Sequence, residues 1–140
     1  MTAIPIDGRL LHPGLATGPV LVLDEPLSMW GGLDPTTGRI LDQQHRQAGV
    51  IIAGKIVAMP GSRGSSGTPG VLGEALRNGV GPLGLILTKP DVNLIAGALV
   101  AEALYGRTCP ITLVTSDVLG GLYTGAIVRV GDYDGMGREQ

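Results

Sequence analysis

Phenylalanine is absent from this 140-residue chain, which holds three tyrosines, one tryptophan and one cysteine. The lone cysteine, Cys109, excludes an intrachain disulfide. It equally excludes a metal cluster held by this chain's thiolates alone. Charge is scarce too: Asp, Glu, Lys and Arg are 16 % of the residues and sum to a net −2. No basic stripe or aromatic platform appears, which argues against a nucleic-acid partner. No apolar run reaches the roughly 18 residues that a membrane span requires. The first residues lack a basic segment followed by an apolar one, so no secretory leader is expected and a cytoplasmic location is the default.

What the chain has instead is glycine and aliphatic bulk. Glycine occupies 24 positions, far above the usual roughly 7 %. The glycines show no collagen-like period, so they point to tight turns and close backbone approaches. Apolar residues make up 44 % of the chain, and the mean hydropathy is +0.31. Two explanations fit: a permanent partner that covers part of the surface, or a compact β-rich domain. The length suits one domain over residues 1–140, with a polar, frayed tail from about residue 132.

Hydrophobic patterning predicts strands at 19–23 (PVLVL), 51–59 (IIAGKIVAM), 83–87 (LGLIL), 111–114 and 126–130, and a short one within 4–11. A helix is expected from Pro69 to about Arg77, with Thr68 as its N-cap and Asn78-Gly79 as its stop. A second is expected over 93–104, opened by Asp91 or Asn93 and closed by Gly106. Ser116 is expected to cap one helical turn over 116–119. Residues 24–49, with Pro26, Gly31, Gly32, Pro35 and Gly38, read as a long irregular excursion, with a short strand at 39–41. Loops of that length are usually functional or disordered, and the embedded Met29 and Trp30 argue against disorder. Strand–loop–helix–strand–helix–strand implies a parallel βαβ core, and the N-terminal strands add a further layer. The expected fold class is therefore α/β, a three-layer β/β/α domain.

The segment Ser62-Arg63-Gly64-Ser65-Ser66-Gly67-Thr68 lies between a buried strand and a helix start. Ligands in α/β domains gather at the carboxyl ends of strands, and a helix N-terminus offers free N–H groups and partial positive charge to an anion. Arg63 adds a planar cation suited to a carboxylate. Ser65 and Ser66 are hydrogen-bond donors, and one could act as a base if its surroundings lower its pKa. The segment has no Gly-Lys-Ser/Thr ending, and its glycines at 61, 64 and 67 do not spell GxGxxG. By spacing alone it is equally an ordinary strand-to-helix turn. In the excursion, Trp30, Gly31, Gly32 and Asp34 form a sharply folded loop that could face a ligand. Asp42 and His45 either pair for proton transfer or cap turns. Cys109 is either a small buried apolar group or a residue that completes a metal cluster held by a partner chain.

Three stretches together resemble the swivel domain of the aconitase X family: residues 25–38 (EPLSMWGGLDPTTG), the loop from Gly61 to Gly67, and residues 78–106. The likeness runs from about Gly8 to Val130. It implies a swivelling domain of a two-chain or fused dehydratase. The large part carries an iron centre or iron–sulfur cluster, and the small part closes over it. The family's Arg-Gly-Ser element matches Arg63-Gly64-Ser65, which makes Ser65 the implied catalytic base, with Arg63, Gly64, Ser66, Gly67, Trp30, Gly31, Gly32 and Asp34 as implied substrate contacts. Bacterial members act on cis-3-hydroxy-L-proline and archaeal members on mevalonate 5-phosphate. The run Ser65-Ser66-Gly67-Thr68-Pro69-Gly70 and the pair Cys109-Pro110 look more bacterial. The residues agree with that chemistry. Proton removal beside a carboxylate builds charge that a cation and N–H groups stabilise. A departing hydroxyl needs a Lewis acid, and with one Cys and two widely separated His this chain is expected to leave the metal to a large subunit.

Overall fold

The structure is a computed structural model and describes residues 2–64 and 66–131. Ser65 and the tail from residue 132 lie outside the described residues. Ten elements follow in order: β1 (Ile4–Pro5), β2 (Arg9–His12), β3 (Leu15–Val22), β4 (Ile56–Ala58), α1 (Thr68–Arg77), β5 (Gly84–Leu87), α2 (Val92–Tyr105), β6 (Ile111–Leu113), α3 (Ser116–Gly120) and β7 (Ile127–Gly131). The strands form one mixed sheet in the order β1-β7-β3-β4-β5-β6-β2. Its centre, β3-β4-β5-β6, is parallel throughout, and α1 and α2 connect β4 to β5 and β5 to β6. β7 runs antiparallel to β3 at one end of the sheet, and β2 antiparallel to β6 at the other.

Period-2 alternation sends neighbouring side chains of the parallel strands into two separate cores. Val57, Met59, Leu85 and Leu87 pack on the helix side against Leu72 and Leu76 of α1 and Leu94 and Ala98 of α2. Ile56, Ala58 and Ile86 face the other way, against Val128 and Val130 of β7. A Cβ placed on Gly84 of β5 would lie 3.0 Å from Val130. In the sheet order, β3 and β4 separate these two strands, a gap of about 14 Å in a flat sheet. The sheet must therefore roll over, so that β7 forms a third layer. The expected α/β architecture with a parallel core is the one observed, with both long helices on one face and the one-turn α3 packed on the other core.

Several local expectations are revised. The run 51–59 is not one strand: Gly54 at φ +74 breaks it into an isolated bridge at Ile51 and the three-residue β4. The N-terminal segment carries two short strands rather than one. Thr68 does not cap α1 but is its first residue, fully buried, while Gly67 takes the cap position without a side-chain bond. Thr115, not Ser116, caps α3. Asp91 caps α2 as expected, accepting from Asn93 and Leu94, and Gly106 ends that helix at φ +66.

The excursion over 24–49 is irregular, as expected, and the 39–41 strand reduces to the bridges Leu33–Ile40 and Arg39–Ile51. It is nonetheless packed. Leu27, Met29, Leu33 and Ile40 are all within 2 % of complete burial and belong to the helix-side core.

Candidate active site

The loop 60–67 leaves the carboxyl end of β4, beside the carboxyl end of β5. The Pro60 carbonyl accepts both the Thr88 N–H (3.2 Å) and the Lys89 N–H (3.1 Å), which stitches the two strand exits together. From there Ser62, Arg63 and Gly64 are each anchored. Ser62 bonds the Asp91 carboxylate through its N–H (3.0 Å) and its hydroxyl (2.6 Å). The Arg63 N–H donates to the Leu27 carbonyl at 3.3 Å. Its guanidinium donates to the Pro26 carbonyl (3.2 Å) and to Glu25 Oε1 (2.6 Å). Gly64, at φ +68, donates its N–H to the Ser62 hydroxyl at 3.2 Å.

These contacts bring together two segments far apart in sequence. Arg63 ties the loop to the first residues of the excursion. Trp30 then lies against the start of α1: a Cβ on Gly67 would sit 2.8 Å from its indole ring. The Trp30 side chain is otherwise open, with 65 % of the residue exposed. Arg63, Gly64, Ser66, Gly67 and Trp30 therefore share one rim at the N-terminus of α1. The Arg63 side chain is 54 % exposed and its partner Glu25 24 %, so the cation faces outward with part of its charge already balanced.

The other residues singled out from the sequence are placed differently. Gly31 sits next to Trp30, exposed and at φ +76. Gly32 is buried beneath it, and its carbonyl accepts the Leu41 N–H at 2.8 Å. Asp34 is at the other end of α1, because the neighbouring Pro35 carbonyl accepts from Asn78, the residue that ends that helix (2.9 Å). Ten residues at about 1.5 Å each put it roughly 15 Å from the loop. Its carboxylate accepts the Thr36 hydroxyl (2.6 Å) and N–H (2.9 Å), bonds that hold it below the usual Asp range. Asp42 and His45 do not pair through their side chains. Asp42 caps its own turn through the Gln44 N–H. His45 is buried, with Nδ1 accepting from Gln47 and Nε2 lying 3.1 Å from the Glu25 carbonyl. That pattern assigns the proton to Nε2 and makes His45 a brace for the Glu25 backbone.

Cys109 lies two residues before the amino end of β6, which runs parallel to β5, so it lies at the rim opposite the loop. It is fully buried, and burial pushes its thiol up to about 12. Iodoacetamide reacts with thiolates, so the native chain at pH 8 is expected to resist labelling and the denatured chain to label fully. Mass spectrometry reads the difference directly, and native labelling at the denatured rate would refute the burial. Among the described residues no group of three His, Cys, Asp or Glu could hold a metal ion. The donors among those residues do not fit a resident iron centre or cluster.

Two partners in the site were not foreseen. Glu25 and Arg63 are 38 positions apart, and Asp91 and Ser62 are 29 apart. The sequence hinted only at Asp91, as a helix cap.

Comparison with known proteins bears on the family and the fold. A sequence model described as the aconitase X swivel domain matches residues 5–137. The chain is 41 % identical over 103 residues to a cis-3-hydroxy-L-proline dehydratase of Pseudomonas aeruginosa, covering 74 % of this chain and 18 % of that protein. It spans less than a fifth of the length of the two cis-3-hydroxy-L-proline dehydratases it matches. It is 38 % identical over 96 residues to the phosphomevalonate dehydratase small subunit of Methanothermobacter thermautotrophicus, covering 69 % of this chain and 73 % of that one. Among solved structures, the holo-form of Thermococcus kodakaraensis aconitase X superposes with a TM-score of 0.79 at 32 % identity, covering 93 % of this chain and 92 % of the other. A match over nearly the whole chain and a close superposition on a solved relative lead to one conclusion: this chain belongs to the aconitase X swivel-domain family.

Proposed function

We propose that residues 1–140 act as one swivel domain, the small subunit of a cytoplasmic hydro-lyase that removes water from a small hydroxy acid, cis-3-hydroxy-L-proline being the preferred substrate. The observation that carries this reading is the meeting of the Arg63–Gly67 loop and Trp30 at one helix N-terminus. In the proposed reaction the substrate loses a proton from the carbon beside its carboxylate and a hydroxide from the neighbouring carbon. A carbon–carbon double bond forms, water leaves, and the product tautomerises to pyrroline-2-carboxylate. Ser65 takes the proton. Arg63 and the N–H groups at the start of α1 hold the carboxylate, where negative charge grows as the proton departs. Trp30 and Gly31 wall the cleft, and Gly32 supports that turn from below. Gly64, Ser66 and Gly67 carry the backbone around the anion. The iron or iron–sulfur centre belongs in this reading to a large subunit, and this chain is inactive without that partner.

Arg63 also bears on the substrate. Paired with Glu25, its guanidinium suits the single charge of a carboxylate, a group that both candidate substrates carry. The likeness to phosphomevalonate dehydratase small subunits supports mevalonate 5-phosphate as a second reading. The test is to co-express this chain with the large subunit and assay water elimination on both compounds. Turnover of cis-3-hydroxy-L-proline by the complex, and by neither chain alone, is expected. Turnover of mevalonate 5-phosphate only would transfer the assignment to the second reading. Small-anion binding by the free chain, with no catalysis in the complex, would make it a regulatory module.

A further inference from the structure

Asp91 makes more bonds than a helix cap needs. Its Oδ1 accepts the Asn93 and Leu94 N–H groups at 3.2 Å each, which completes the cap of α2. Its Oδ2 accepts the Ser62 N–H at 3.0 Å and the Ser62 hydroxyl at 2.6 Å. The Ser62 oxygen, its proton committed to Asp91, then accepts the Gly64 N–H at 3.2 Å. A chain of bonds thus runs from the start of α2 to the residue immediately before Ser65. Partial burial opposes the charge of Asp91, but the Ser62 and helix N–H bonds outweigh it and keep the carboxyl below its ordinary range. It stays an acceptor at both oxygens, as four converging donors require.

We propose that Asp91 is a positioning residue for the dehydratase loop, its Oδ2 fixing Ser62 and Gly64 so that Ser65 is presented to substrate, separately from its role as the cap of α2. The inference rests on the function proposed above, and one substitution separates the two roles of the carboxylate. Asparagine caps helices about as well as aspartate, so Asp91→Asn keeps an oxygen for α2. Its amide then turns a donor toward Ser62: the Ser62 N–H loses its acceptor, and the hydroxyl can no longer donate to that position but only accept from it. Ser62→Ala removes the hydroxyl from the other side and leaves the α2 cap intact.

The experiment uses the assembled two-chain complex, with cis-3-hydroxy-L-proline and mevalonate 5-phosphate as probes and amide hydrogen exchange as a readout that needs no turnover. Asp91→Asn and Ser62→Ala are each expected to lower kcat by about ten- to a hundredfold, the scale of a misplaced catalytic group. Tm should remain within a few degrees of wild type. The double variant should lose no more than the worse single variant, because both remove the same link. The Ser62 and Gly64 amides should exchange faster in Asp91→Asn while the α2 amides stay protected. Unchanged exchange at Ser62 and Gly64, an unchanged kcat, or losses that multiply in the double variant would each overturn the inference. If the wild-type complex turns over neither probe yet Asp91→Asn still speeds exchange, the proposed function falls. The catalytic role of Asp91 falls with it, leaving a purely structural clamp.

Discussion

Replacing Ser65 with alanine in the assembled complex is expected to lower kcat by about 10²- to 10⁴-fold, the usual contribution of a positioned acid or base. KM should change little, because proton removal is felt in the transition state and hardly at all in the bound substrate. A neutral serine is a weak base, so this effect requires surroundings that stabilise its anion. The start of α1, three residues further along the sequence, is a feature of that kind. Arg63→Ala should behave differently. In the proposed reaction it removes a group that holds the carboxylate from binding onward, so KM should rise along with any fall in kcat. Steady-state kinetics on the two variants separates these roles. Full activity of Ser65→Ala would sink the assignment of the base. If both variants were silent, this chain would be a structural subunit.

Gly38→Ala is expected to destabilise the fold strongly. Gly38 sits at φ +77, a conformation that costs an L-residue about 1–2 kcal/mol. The added Cβ would also fall 2.5 Å from the Val80 carbonyl oxygen and 3.2 Å from the Ala53 Cβ. The carbonyl belongs to backbone and cannot turn aside, so overpacking adds about 1–3 kcal/mol. A sum of roughly 2–5 kcal/mol is a large share of the 5–15 kcal/mol that holds a domain of this size together. Thermal unfolding should show Tm lower by about 5–20 °C. A variant within 1 °C of wild type would mean that the turn at 38 relaxes freely. The same turn donates its N–H to the Asp34 carbonyl and accepts the Ile52 N–H, so the excursion should loosen before the sheet does.

What the sequence revealed follows the range of the interactions involved. The parallel core and both long helices were legible because caps, glycine stops and apolar periods act over a few residues: Asp91, Gly106 and Asn78-Gly79 all do what their positions suggest. The run 51–59 misled because its apolar residues outweighed Gly54, although the Ala53-Gly54 pair carries the turn. Thr68 misled because a threonine before a proline resembles a cap, whereas here packing takes it inside the helix and buries it completely. In the site, the loop, Trp30 and their family likeness were visible. The bonds that hold them were not, because they join side chains to distant backbone. Nothing local to Arg63 announces Glu25, and nothing local to Ser62 announces Asp91. Asp34 and Cys109 have residue types that suit a site, and no local signal shows where the fold sets them, on a turn at the far end of α1 and in the core below the opposite rim.

The excursion between β3 and β4 looks on paper like the natural place to insert a tag or graft a peptide. Its anchors forbid that. Leu27, Met29, Leu33 and Ile40 enter the core at fixed intervals, Trp30 leans on one end of α1, and Pro35 is tied to the other. Lengthening the segment by even one residue between those anchors would pull an apolar side chain out of register. It behaves as a measured span whose length is set by the helix it runs beside, so family members that keep this helix should keep the length of the segment even where its letters change.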